Sequence, residues 1–499
     1  MTSFLGIDIG TSSVKAVLVD ERQRILSEAS APLDVLRPHP LWSEQQPEAW
    51  WSATLAVVGA IREAAPDGWR QLQAIGLSGQ QHGATLLSAD GGVLRPCILW
   101  NDGRSQAECA ELTARVPNFT ERASNIAMPG FTAPKLLWVA KHEPEIFAAT
   151  AMILLPKDYV RYRLSGAYVS DMSDSAGTLW LDVAARRWDD TLLAACGLTR
   201  AQMPRLVEGS EVSAMLSPDV ASAWGLGGRQ IPIAGGGGDN ASSAIGIGAT
   251  RGGDGFLSLG TSGVIFAATE NPVVLPERAL HGFCHALPGR WHGMAVVLSA
   301  GLALDWVAGL TGNAANVAGY LALAESFAAD QVRRAHAPVF LPYLTGERTP
   351  HNDPLATAQF AGLTVEHGAE ALGYAVLEGV AFALADCLDV LVEAGAAPRS
   401  CMLVGGGSRS AFWAQLISDV TGLTLDLPLG AEIGSAFGAA RLAMLAAGGS
   451  EAEVCVKPPV RRSFAPQGSH APLLSERRNR MRSLYQRPAA LRPASITAI

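Results

Sequence analysis

The sequence predicts a duplicated α/β chain built as two domains, each with a mixed sheet. Three observations carry that prediction. At 499 residues the chain exceeds the ~250–300 residues at which one hydrophobic core stops growing. Two strand-turn-strand units, FLGIDIGTSSVKAVLVD and GFLSLGTSGVIFAATE, sit half a chain apart and share their turn, at Gly10-Thr11-Ser12 and Gly260-Thr261-Ser262, with Val14 or Val264 at the same offset in the returning strand. Each unit is followed by alternating strand-like and helix-like segments, which is the pattern of an α/β architecture.

In chain order, the opening segment is two β-rich runs around Gly-Thr-Ser-Ser and reads as a tight hairpin. AIGLS then exits into Gly79-Gln80-Gln81-His82-Gly83, ILW into Asn101-Asp102-Gly103-Arg104, and QIPIA into Gly235-Gly236-Gly237-Gly238-Asp239-Asn240, each a strand running into a polar loop. The run GGGGDNASSAIGIG has few large side chains, so we expect a hinge and a boundary there, with a first domain over 1–246 and a second over 247–486. From about Glu366 to Gly395, Leu372, Val376, Val380, Leu384, Leu388 and Leu391 recur at helical steps, and Glu378 interrupts the apolar run. CMLV passes through Val404-Gly405-Gly406-Gly407-Ser408-Arg409 into the helix-like AFWAQLISDVTG. From Gly434, GSAFGAARLAML places small residues at helical spacing, predicting a helix that lies close against a sheet. The tail 487–499 has two Arg-Pro steps and no apolar periodicity, so weak order is expected there.

Composition excludes several classes. The 48% hydrophobic share suits packed cores rather than disorder. A net charge of −8 removes the overall attraction on which nucleic-acid and anionic-membrane binders rely. Of the five lysines, Lys15, Lys135, Lys141, Lys157 and Lys457, none follows a glycine, so there is no Walker A loop. Seven scattered cysteines without a Cys-x-x-Cys pair point to a reducing compartment. With no secretory signal and no apolar run long enough to cross a bilayer, a cytoplasmic protein is expected.

Small and hydroxyl residues at a strand-turn-strand present backbone N–H groups to phosphate oxygens, so two such turns could hold one polyphosphate. Asp8, just before the first turn, could orient the Mg²⁺ that accompanies it, although an Asp at such a turn can equally satisfy local amides. Asp239 follows permissive glycines where a ligand can approach, and can accept a hydroxyl proton as that oxygen attacks phosphorus; a turn carboxylate is the plain alternative. Gln81 and His82 offer groups for sugar hydroxyls, Asn101 and Asp102 could add to them, and Asp102 beside Arg104 is equally readable as an ion pair. The Gly405–Gly407 loop, with Asp426 further on, imitates a dinucleotide fingerprint but lacks its full glycine set, and an adenine-side pocket is preferred.

In order and spacing, GIDIGTSSVK, GGGGDN, SLGTSG and VGGGSRS resemble the nucleotide-binding segments of the actin, Hsp70 and hexokinase-like superfamily, specifically its FGGY carbohydrate kinases. RPHPLWSEQQPEAWW, SGQQHGATLL, MPGFTAPKLLWV, SDMSDSAGTLWLDV and LPYLTGERTPHN resemble the bacterial branch of that family that acts on xylulose. The resemblance implies two ribonuclease-H-like domains flanking a deep cleft that holds ATP and a sugar. It implies Asp239 as catalytic base and Asp8 as the acid acting on Mg²⁺ and phosphate, both near the metal. Gln81 and His82 would contact the ketose, with Asn101, Asp102, Asp239 and Asn240 as the other sugar-side candidates. Gly10, Thr11 and Ser12 would face the phosphates, Gly260 and Thr261 would lie near the γ-phosphate, and Gly405, Gly406 and Gly407 would meet adenosine. The implied reaction is ATP plus D-xylulose giving D-xylulose 5-phosphate and ADP. Kinases of another ketose or polyol, such as ribulose or glycerol, and an Hsp70-like ATPase that grips a protein are the alternatives, with a dehydrogenase more distant; a homodimer stays open.

Overall fold

The computed structural model describes residues 2–429 and 434–485, and the expected weak order of 487–499 lies outside the described residues. Two seven-stranded sheets organise the chain. In the first, strands Ser3–Ile9, Ser13–Asp20 and Ile25–Pro32 form an antiparallel meander; Leu72–Gly79 then joins Ser3–Ile9 in parallel, Pro232–Ala234 joins parallel to that, and Val212–Met215 closes the edge antiparallel. The second sheet repeats the plan. Asp254–Leu259, Gly263–Thr269 and Trp291–Val297 form the meander, Ser400–Val404 and Leu425–Pro428 add in parallel, and Val460–Phe464 closes the edge antiparallel. The shared plan of a meander, two parallel strands and an antiparallel edge is what a duplicated unit produces, and it accounts for the repeated Gly-Thr-Ser turn; the edge strand precedes its neighbour in the first half and follows it in the second, and His281–Cys284 extends the second sheet alone.

The expected helix near 366–395 runs over Ala369–Glu393 through the core of the second half, with Val376, Val380, Leu384 and Leu391 fully buried. Glu378, the interruption, is buried with them because Arg477 donates to it through Nε at 2.9 Å and Nη2 at 2.6 Å, and the Tyr374 hydroxyl at 2.7 Å. A buried carboxylate is tolerable only with such partners.

The small-residue helix Ser435–Ala446 does lie close on a sheet, but the sheet is that of the first half. A Cβ at Gly76 would sit 1.8 Å from the Ala439 carbonyl oxygen, and one at Gly438 would sit 1.7 Å from the Ser242 oxygen, so only hydrogen fits at either contact. Sequence position and packing therefore divide the chain differently over this helix. The glycine-rich run expected to hinge is folded: Gly237–Gly238 is a short strand and Asp239–Gly246 a helix. Arg441 of the crossing helix donates to the Ile245 and Gly246 oxygens at 2.9 and 3.0 Å, satisfying carbonyls at the shorter helix's end.

Candidate active site

Asp239 opens the helix Asp239–Gly246, directly after Gly237–Gly238 has paired in parallel with Ser78 and Gly79. It is half-buried at a strand-to-helix junction, not in a free turn. The backbone N–H and the Nδ2 of Asn240 both donate to its Oδ1, at 2.7 and 2.9 Å, which fixes the carboxylate and leaves Oδ2 to face a ligand. Burial, followed by the nearby negative charge of Asp8, pushes its pKa up to about 7 against those two hydrogen bonds.

Asp8 lies on the neighbouring strand Ser3–Ile9, and burial raises its pKa too, opposed by the hydroxyls of Ser435 and Ser78 and by Lys15. Its Oδ1 is buried without a hydrogen-bond partner. Ser435 opens the helix Ser435–Ala446, so two helix N-termini converge beside the two carboxylates. Their positive ends favour an anion, while the repelling carboxylates favour a cation between them. The orphaned oxygen of Asp8, with the negative charge of Asp239 nearby, fits a divalent ion that keeps most of its ligands as phosphate and water. Among the described residues no group of three or more His, Cys, Asp or Glu side chains could hold a metal without such help.

Both expected phosphate turns sit at the ends of central strands. In the first, Gly10 N–H donates to Ser13 O at 3.0 Å; in the second, Gly260 N–H donates to Ser262 O at 3.0 Å, so the second turn is tighter by one residue. Thr11 is tied into a network, its hydroxyl donating to Gln80 Oε1 and accepting from Trp100 Nε1, both at 2.9 Å. The second turn is seated on the helix Gly301–Leu310, whose Gly301 and Leu302 N–H groups donate to Gly260 O and Thr261 O at 2.8 and 3.1 Å. Next to it, Gly405 leaves the strand Ser400–Val404 at φ +90, where a Cβ would strike Leu259, and Gly405 and Gly406 stay exposed. An aromatic base or ribose can lie directly on that backbone.

On the sugar side, Gln81 packs over Gly238, next to Asp239, and its Nε2 donates to Ser173 O at 3.4 Å. His82 Nδ1 hydrogen-bonds Gly177 O at 2.7 Å, which places the proton on Nδ1 and leaves Nε2 as an acceptor. Burial and then Lys135 push its pKa down to about 3, so the ring is neutral. Arg348, from the second half, pushes His82 and His281 in the same direction and so belongs to the same neighbourhood.

Comparison with known proteins extends this geometry. The N-terminal domain model of the FGGY family of carbohydrate kinases matches residues 3–246, and its C-terminal domain model matches 255–447. The chain belongs to the FGGY family. Xylulose kinase of Escherichia coli strain K12 is 50% identical over 97% of this chain and 98% of its own length, and that of Bacillus subtilis strain 168 is 34% identical over 93% and 92%. The crystal structure described as a xyloylose kinase from Brucella ovis superposes with a TM-score of 0.92 at 48% identity, covering 97% of this chain and 98% of that one.

Within this FGGY site one sugar-side candidate needs correction. Asp102 is 2% exposed, and both of its oxygens are taken: Oδ1 by Arg104 N and Nε at 2.9 Å, Oδ2 by Ser43 N at 2.6 Å and Arg104 Nη2 at 2.7 Å. It holds a loop through an ion pair and has no lone pair to spare for a sugar. Asn101 is exposed next to it. Asp426, the fingerprint acid, accepts from Ser463 Oγ at 2.5 Å between two strands. Ser435, Arg348 and Lys135 were missed from sequence, although MPGFTAPKLLWV and LPYLTGERTPHN already singled out two of the segments that carry them.

Proposed function

We propose that this FGGY carbohydrate kinase transfers the γ-phosphoryl group of ATP to the terminal hydroxyl of D-xylulose, with Mg²⁺, in the cytoplasm. The observation that carries this reading is the Asp239 carboxylate, fixed at Oδ1 by Asn240, raised to about 7 and adjacent to Gln81. A base with a pKa near the operating pH can take the hydroxyl proton at Oδ2 as the oxygen attacks phosphorus in line. His82 Nε2 and the Gln81 amide supply an acceptor and further polar groups for the sugar hydroxyls. The two Gly-Thr-Ser turns offer backbone N–H groups to the phosphates from both halves, and Gly405, Gly406 and Gly407 the adenosine surface. Asp8, with Asp239 beside it, would hold Mg²⁺, which supplies neutralisation of the charge on the transferring group. That the E. coli and B. subtilis relatives are xylulose kinases supports xylulose as the sugar, and seven buried free cysteines suit a reducing compartment. The test is ADP release over D-xylulose, D-ribulose, D-fructose and glycerol, with and without Mg²⁺. We expect kcat/KM for D-xylulose to lead by at least about tenfold; equal rates over the panel overturn the assignment.

A further inference from the structure

His82 has a backbone conformation that a non-glycine residue rarely adopts, φ 69. Four contacts hold it there. Its carbonyl oxygen accepts from Lys135 Nζ at 2.9 Å and from Thr132 Oγ1 at 3.1 Å, and its ring is clamped by Gly177 O at 2.7 Å and by Phe131, with ring centroids 4.3 Å apart. Both donors stand on one face of the helix Thr132–His142, three residues apart, and both are fully buried.

Lys135 is a costly residue to keep at this place. An ammonium removed from water is normally matched by a carboxylate, yet none of the ion pairs among the described residues includes Lys135. Its hydrogen bond goes to a backbone carbonyl, and burial pushes its pKa down to about 7, offset in part by Cys97 and Asp102. A methionine would fill the same volume at lower cost if packing were the whole role.

We propose that Lys135 is a positioning residue for the sugar site: with Thr132 it locks the His82 backbone in the left-handed conformation that presents imidazole Nε2 to a sugar hydroxyl. This rests on the reading that the Gln81-His82 turn takes the sugar. Without the donors, the φ of His82 relaxes toward the ordinary range and the ring leaves its Gly177 anchor, so sugar binding suffers while the nucleotide side, built on other strands, does not.

The test is steady-state kinetics of the full-length enzyme carrying Lys135→Met, Lys135→Gln, Thr132→Val and His82→Ala, singly and combined. We expect Lys135→Met to raise the sugar KM about tenfold with the ATP KM moving less than about twofold, and Lys135→Gln, which keeps a donor, to return within about threefold of wild type. In a His82→Ala background, Lys135→Met should add less than about twofold, because the residue acts through His82. Equal damage by Met and Gln, a parallel rise in the ATP KM, or an undiminished effect in the His82→Ala background overturns the proposal. If Lys135→Met does not fold, the uncharged and isosteric Thr132→Val carries the same cycle with an expected increase of about twofold to fivefold. A wild-type enzyme that prefers another sugar overturns the D-xylulose reading alone, since the same ratios are then read on that sugar.

Discussion

Asp239 is held in two states of tension: it is near a second carboxylate, and it is partly withdrawn from water. Both favour its neutral form, and both are useful only if the charged form is needed during turnover. Asp239→Asn keeps the size and the acceptor for Asn240 while removing the base, so turnover should fall on the order of 10²–10⁴ with little change in ATP affinity. Near-normal turnover in a coupled ADP assay would remove Asp239 from the reaction. The same change should stabilise the unliganded protein. The Asp239 pKa is about 7 when folded against an ordinary 3.8, so the folded state holds a proton that the unfolded chain releases between those values. Its contribution to stability is therefore lost as pH rises from about 4 to about 7. The Tm advantage of Asp239→Asn, on the order of 1–3 °C in EDTA, should grow over that window and then level off. An advantage largest at pH 4 would contradict the raised pKa. At this scale the sequence was legible in the placement of Asp8, Asp239, Gln81 and His82 at the ends of neighbouring strands. It was not legible where the partner comes from far away: nothing near Asp8 in the chain announces Ser435, and the competition of Arg104 and Ser43 for Asp102 depends on a loop sixty residues back.

At the scale of elements, the crossing of Asp239–Gly246 with Ser435–Ala446 decides where Asp239 sits. The two helices touch backbone to backbone at Gly438 and Ser242, and Arg441 holds the end of the shorter one. A Cβ at Gly438 would lie 1.7 Å from a backbone oxygen, which no rotamer can relieve. Gly438→Ala should therefore cost on the order of 1–3 kcal/mol in urea unfolding and also lower kcat, because the helices can separate only by moving Asp239. Lost stability with unchanged kcat would show that the crossing does not set the base. The periodic small residues announced such a helix, yet spacing alone names no partner, and the helix lies on the sheet of the other half. Glu378 teaches the same lesson from the core: a charge that interrupts an apolar stripe is explained only by Arg477, ninety-nine residues later, which pairs with it.

For the whole molecule, duplication creates the cleft, and a few contacts across it decide how it can move. The two halves are joined at the helix crossing, through Arg186 and Val183, which bond Arg290 O and Trp291 Nε1, and again where the strand His281–Cys284 meets the first half. There Asn125 Nδ2 donates to Gly282 O at 2.7 Å, and the Asn125 side-chain oxygen lies 2.9 Å from His281 Nδ1. The polar groups that would bind ligand divide between the halves, with the Asp8 and Asp239 carboxylates on the first and the Gly260 turn and Gly405 loop on the second. We expect ligand binding to rotate the halves toward each other, bringing the second turn toward Asp239. We expect the phosphates to reach both turns and the sugar to complete the link at the Gln81-His82 turn, so that full closure needs both ligands. A non-hydrolysable ATP analogue with the sugar should reduce the radius of gyration, about 23 Å for a chain of this length, by on the order of 1 Å in small-angle scattering. Either ligand alone should give less than half of that change. Full contraction with the nucleotide alone would mean that closure does not wait for the sugar, and water would then compete with it for the γ-phosphate.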